Sequence, residues 1–120
     1  MANPETKIQN EIRSALSAHQ CSVFRTNVGK VRLSDGRWFD TGLPKGHADL
    51  YGFRWSDGKV FYIEVKNEKG RLRTDQVRFH KMLTNRHIIH CCARSVDDAL
   101  KTIRQGLVGY GYPDWKGEHV

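Results

Sequence analysis

The sequence predicts an α/β domain, and three observations carry that expectation. An amphipathic helical stretch opens the chain. Two Asp-Gly pairs each lie between short alternating runs, as in hairpins. Helical periods then alternate with a single apolar strand run toward the C-terminus. At 120 residues the length suits one domain with one modest core.

In PETKIQNEIRSALSAH the apolar residues Ile8, Ile12, Ala15 and Leu16 fall at helical spacing. Pro4 stands at a permitted helix start and Asn3 is a natural N-cap, so a helix is expected over about 4–19. CSVFRTNVG reads as a short strand closed by Asn27 and Gly29. KVRLSDGRWFDTG is a hairpin around Asp35 and Gly36, and ADLYGFRW is a strand that Asp57 and Gly58 turn into KVFYIEVK. After the polar, basic loop NEKGRLR, Thr74 is expected to cap a helix whose Val77, Phe79, Met82 and Leu83 share a buried stripe. HIIHCCA is a strand. Ser95 caps a last helix, which Gly106 ends. The expected core runs from about 4 to 106, and residues 107–120 read as an aperiodic tail.

Twenty Lys and Arg against thirteen Asp and Glu give a net charge of +7. Such an excess suits a polyanionic partner, although solubility alone also accounts for it. No apolar run approaches the length of a membrane span. MANPETKIQN contains no hydrophobic signal region, so a cytoplasmic setting is expected. Cys21, Cys91 and Cys92 fit no paired disulfide framework and read as free thiols.

The run FYIEVK holds the chemical clue. A buried carboxylate or ammonium is costly unless it is paired or holds a metal. Alternation puts Phe61, Ile63 and Val65 on one face and Val60, Tyr62, Glu64 and Lys66 on the other. Glu64 and Lys66 then stand about 7 Å apart along the strand. Counting back through the Asp57–Gly58 turn brings Asp49 to the same sheet end. Two carboxylates and an ammonium beside a basic loop suit a hard cation such as Mg²⁺, which takes one or two carboxylates and keeps waters and phosphate oxygens. A lysine there can orient water and stabilise charge on a phosphate. A structural Glu64–Lys66 ion pair is the competing reading.

Asp49 and Glu64-Val65-Lys66 within this αβ order resemble the PD-(D/E)XK nuclease superfamily, and more closely the small stand-alone, virus-type members of its VRR-NUC family. The resemblance runs through PETKIQNEI, VFRTNVGK, GLPKGHADLYG, FYIEVKNEKGRLRTDQVRF and HCCARSVDDAL, from residue 4 to about 104. It implies a PD-(D/E)XK nuclease-like fold, a central mixed β-sheet flanked by helices with an αβββαβ-type core. Asp49 and Glu64 would be metal-binding carboxylates and the Val65 carbonyl a further ligand. Lys66 would be the catalytic lysine, with Glu5 and Gln76 completing the site. The implied activity is Mg²⁺- or Mn²⁺-dependent DNA endonuclease, leaving 5′-phosphate and 3′-hydroxyl ends. Resemblance to Holliday junction resolvases implies a homodimer acting on branched DNA, a four-way junction or flap, in a bacterial cell or phage-infected host. The family usually has Gly-x-Pro-Asp where this chain has Gly46-His47-Ala48-Asp49. The later Pro113-Asp114 is followed by no E-x-K and is treated as a decoy.

Several assignments stay open from the residues alone. Glu11 competes with Glu5, since acids belong in a first helical turn anyway. Gln76 is equally readable as an exposed first-turn residue, and His47 as a loop residue or a phosphate contact. His87, His90, Cys91 and Cys92 match no common zinc spacing. Arg25 and Lys30 on the early strands, with Lys69, Arg71 and Arg73 in the basic loop, are the candidate phosphate contacts. Trp38, Trp55 and Trp115 either stack on bases or pack in the core. A basic nucleic-acid-binding domain without catalysis is the alternative function.

Overall fold

The structure is a computed structural model and describes residues 3–120. Helix α1 (Pro4–Ala18) starts as its sequence dictates: Asn3 caps it, and Asn3 Oδ1 accepts the Glu5 N–H at 2.8 Å. Its Ile12 and Leu16 are fully buried. Strand β1 (Cys21–Arg25) follows, then an outlying hairpin of β2 (Lys30–Arg32) and β3 (Trp38–Asp40) turned at Gly36, whose φ is +88°. Strands β4 (Leu50–Arg54) and β5 (Val60–Val65) form the second hairpin. Helix α2 (Thr74–Asn85), strand β6 (Ile89–Ala93), helix α3 (Val96–Gln105) and strand β7 (Val108–Tyr110) complete the chain.

The main sheet runs β1-β4-β5-β6-β7. Its first three strands are antiparallel, while β5, β6 and β7 are parallel, so the sheet is mixed. Leu50, Phe61, Ile63, Val65, Ile89, Cys91 and Ala93 meet Ile12, Leu16, Ala99 and Ile103 in one core. On the opposite face α2 lies over β6 and β7 and reaches β5 through Gln76 and Phe79, leaving β1 and most of β4 uncovered. No helix among the described residues is long and apolar enough to cross a membrane.

Three expectations change. Thr74 is the first residue of α2 and Arg73 occupies the cap position; the Gln76 side chain closes that end by accepting the Arg73 N–H at 2.9 Å. The buried stripe of α2 is Gln76, His80 and Leu83, while Met82 is exposed. Hydrophobicity misleads here because the surface α2 packs on is itself polar, built from Glu64 and His90. The apparent tail supplies β7 and folds back on its own chain: the Val108 N–H donates to the Glu118 carbonyl and the Val120 N–H to the Gly106 carbonyl. At α3 the expectations hold, with Ser95 Oγ accepting the Asp98 N–H and Gly106 closing at φ +64°.

A line of polar groups joins α2, β6 and the C-terminal segment. His90 Nδ1 lies 2.7 Å from the Ile88 carbonyl oxygen and His90 Nε2 2.7 Å from His80 Nδ1. His80 Nε2 lies 2.8 Å from Asp114 Oδ1, and the Tyr112 ring stacks on His80 at 3.7 Å. A carbonyl oxygen only accepts, so Nδ1 of His90 carries its proton and Nε2 accepts from His80. His80 thus bridges His90 and the Asp114 carboxylate through its two ring nitrogens.

Burial, above all, pushes the His90 pKa down from 6.5 to about 4. Its contribution to stability is therefore complete above about pH 6.5 and lost as pH falls toward about 4, because the unfolded chain takes the proton first. The urea midpoint is expected to fall through that window. The variant His90→Gln, which cannot take the proton, should fall less steeply in the same pH series.

Candidate active site

The β4–β5 register pairs Leu50 with Ile63, so Asp49, one residue before β4, arrives opposite Glu64. Its carboxylate turns into the gap left where β4 begins, and Oδ2 accepts the Val65 N–H at 2.8 Å. Asp49 thus takes over the ladder position that a further β4 residue would fill. On a strand the N–H and C=O of one residue leave on the same side, so the Val65 carbonyl also faces the Asp49 edge. The Lys66 N–H points the other way, donating to the Ala93 carbonyl at 3.1 Å.

The backbone before Asp49 is held without the expected proline. Thr26 Oγ1 donates to the Ala48 carbonyl at 2.7 Å, and the Thr26 N–H donates to the Asp49 carbonyl at 2.9 Å. The residue at the proline position is thereby stiffened through hydrogen bonds rather than ring closure.

Glu64 is 2% exposed and Lys66 6% exposed. Lys66 Nζ stands 3.9 Å from Glu64 Oε1, and Gln76 Nε2 donates to the same oxygen at 2.9 Å. With its own oxygen committed to the Arg73 N–H, the Gln76 amide has only its NH₂ to offer Glu64. Burial is the largest cause pushing the Glu64 pKa far above the carboxylate range, and the charge and contact of Asp49 add to it; Lys66 and Arg73 oppose it.

These groups open into a cleft of about 520 Å³ lined by Glu5, Val28, Lys45, His47, Asp49, Glu64, Lys66, Arg73 and Gln76. All five sequence-derived catalytic candidates therefore share one cavity. Glu5 faces it from the first turn of α1, whereas Glu11 is exposed and is no part of its wall. Of the basic candidates only Arg73 lines it. Arg25, Lys30, Lys69 and Arg71 are exposed outside it. Lys45 was not singled out from sequence; only folding of the 41–49 loop brings it to the rim. His47 reaches the wall, but its ring is largely engaged by Tyr62 and Phe79 at 5.6 and 4.7 Å. Arg94, also unremarked in sequence, donates from Nη1 to the Asn67 and Gly70 carbonyls at 2.6 and 2.9 Å and so clamps the loop after Lys66. Asp114 belongs to the His80 line, away from the cleft.

The donor set fits a hard divalent cation. Among the described residues no three His, Cys, Asp or Glu side chains form a metal cluster. Two carboxylates and a main-chain carbonyl nonetheless match what Mg²⁺ or Mn²⁺ accepts while keeping waters. The crowding that raises the Glu64 pKa is what a bound cation would relieve.

The sequence matches no family model and no curated protein. A solved structure described as a VRR_NUC domain is similar in fold, with a TM-score of 0.63 at 21% identity over 86% of this chain and 97% of that one. The chain therefore has a VRR_NUC-like nuclease fold, with a mixed sheet flanked by helices.

Gly46 joins the Asp49 loop to α2. An added Cβ would lie 2.2 Å from the Asp75 carbonyl oxygen, a backbone atom with little room to yield. Gly46→Ala is expected to cost about 1–3 kcal/mol in urea unfolding. It should also shift the NMR signals of the Gln76 side-chain amide as α2 moves off Glu64.

Proposed function

We propose that this chain is a VRR-NUC family member and a metal-dependent DNA endonuclease that cleaves branched DNA, a four-way junction or flap, as a homodimer. The observation that carries the reading is the convergence of Asp49, Glu64 and Lys66 at one sheet end, in a cleft with a basic rim. The similarity to a VRR_NUC domain supports it.

In this reading Asp49, Glu64 and the Val65 carbonyl hold Mg²⁺ or Mn²⁺. Such a cation polarises a phosphate and activates water. The Lys66 ammonium orients the attacking water and stabilises charge gathering on the scissile phosphate. Gln76 fixes the Glu64 carboxylate, and Glu5 adds a carboxylate at the cleft wall. Arg73 and Lys45 receive flanking phosphates. Arg25, Lys30, Lys69 and Arg71 extend the positive surface beyond the cleft, which makes binding salt-dependent. The products carry 5′-phosphate and 3′-hydroxyl ends.

The partly covered sheet face supports the second copy. Phe24, Tyr51, Phe53 and Val60 lie exposed on it, and contiguous apolar patches on small proteins mark interaction surfaces. Cutting two symmetric strands also takes two sites.

Incubation with four-way, flap and linear duplex DNA plus Mg²⁺ or Mn²⁺, with products mapped on each strand, tests the activity. Junctions retained but never nicked with either metal would select a binding domain instead. Asp49→Ala, Glu64→Ala and Lys66→Ala are each expected to lower cleavage by about a hundredfold or more, with binding in EDTA preserved. Mg²⁺ or Mn²⁺ at about a hundred times its Kd should stabilise the parent by about 2.7 kcal/mol and leave Asp49→Ala unmoved, read by thermal unfolding. Phe53→Glu should sediment as a monomer where the parent sediments as a dimer.

A further inference from the structure

The hairpin of β2 and β3 holds none of the catalytic candidates. Its strands pair with each other and with no strand of the main sheet. Every residue from Lys30 to Asp40 is exposed. Trp38 is 63% and Phe39 55% exposed, with Val31 and Leu33 also open to solvent. An isolated two-stranded hairpin is marginal in water, and rings more than half exposed do little to support it. Cross-strand pairing with Arg32 and Val31 accounts for only part of each ring, and the rest is open to a partner.

The register sorts the arm into two faces. Val31 lies opposite Phe39, and Arg32 opposite Trp38, with the Arg32 guanidinium 5.7 Å from the Trp38 ring centre. The arm's two acids are spent locally. Asp35 accepts from the Arg37 Nε at 2.7 Å, and Asp40 accepts the Gly42 N–H at 2.8 Å. Lys30 and Arg32 make no ion pair among the described residues. Aromatic rings with cations beside them are the recognition chemistry of single-stranded nucleic acid: bases stack on the rings and the cations follow the phosphates.

The arm is rooted in the candidate site. The Thr41 N–H donates to the Gly29 carbonyl at 2.9 Å at its base, and Val28 and Lys45, one on each side of that base, line the cleft. Thr26, just before it, holds the Asp49 backbone. At about 3.4 Å per residue the arm reaches roughly 17 Å beyond Lys30. Whatever it grips therefore lies within that reach of the cleft.

We propose that this hairpin is a base-stacking arm: Trp38 stacks on an unpaired base of branched DNA while Lys30 and Arg32, on the same face of the ribbon, hold the adjoining phosphates. The arm then selects unpaired DNA for the cleft to cut. The proposal deepens the nuclease reading and rests on it for the substrate, but its test needs no cleavage.

The test is binding in EDTA, by fluorescence anisotropy, to a splayed fork and to a fully paired duplex of equal length, with 2-aminopurine at the fork. Trp38→Ala is expected to weaken fork binding by about fivefold or more. It should leave duplex binding within about twofold and reduce the 2-aminopurine quenching, while Trp38→Phe restores both readouts. Circular dichroism and thermal unfolding of Trp38→Ala should match the parent, since the ring is exposed. Equal losses on fork and duplex would overturn the proposal, as would unchanged fork affinity. A change in sedimentation without a change in fork affinity would assign the arm to a second copy and overturn it too. Failure of the nuclease reading is separate: it appears as intact DNA in the Mg²⁺ and Mn²⁺ assay, whatever the binding comparison gives.

Discussion

The placing of Asp49 opposite Glu64 at one sheet end is the constraint around which this protein's candidate site is arranged. Burial disfavours charge on Glu64, and the neighbouring Asp49 adds to that cost, so the two carboxyl groups do not readily ionise together. Everything around them answers that cost. The Val65 N–H holds Asp49, Gln76 holds Glu64, and Lys66 and Arg73 bring positive charge. The arrangement is poor for stability in isolation and well suited to a cation. Natural proteins concentrate such local costs where they act on something.

The rest of the fold keeps those groups from moving apart. Helix α2 carries Gln76, and Gly46 lets its first turn approach the Asp49 loop backbone to backbone. Further along the same helix His80 ties it to β6 and to Asp114, so the C-terminal segment braces the helix from behind. Arg94 fastens the loop that leaves Lys66. The site thus sits on helix and strand elements whose supports are drawn from distant parts of the chain.

Exposure divides the molecule differently from hydrophobicity. The face of α1 and α3 against the sheet is closed and apolar. The other face is polar where α2 covers it and aromatic where nothing does, and the β2–β3 arm is open throughout. A core needs only one of these surfaces. Of the uncovered aromatic surfaces, the β2–β3 arm has its base beside the cleft, between Val28 and Lys45.

Local pattern in the sequence was enough for most of the elements. Helix periodicity, Asn3, Ser95 and the Asp-Gly turns act within a few residues of themselves, so α1, α3 and both hairpins were legible. Strand alternation likewise placed Glu64 and Lys66 on one face, and hairpin counting put Asp49 beside them. What depended on distant packing was not legible. The buried stripe of α2 contains Gln76 and His80 because the surface beneath it is polar. Strand β7 lies in a segment without periodicity because its three residues are ordered by β6 and the returning C-terminus. Lys45 reaches the cleft, and Glu5 rather than Glu11 faces it, through the closing of loops and the seating of α1. Local sequence named the candidate residues; long-range packing selected which of them meet in one cleft, because a side chain's local period says where it points and only the packed chain says what it points at.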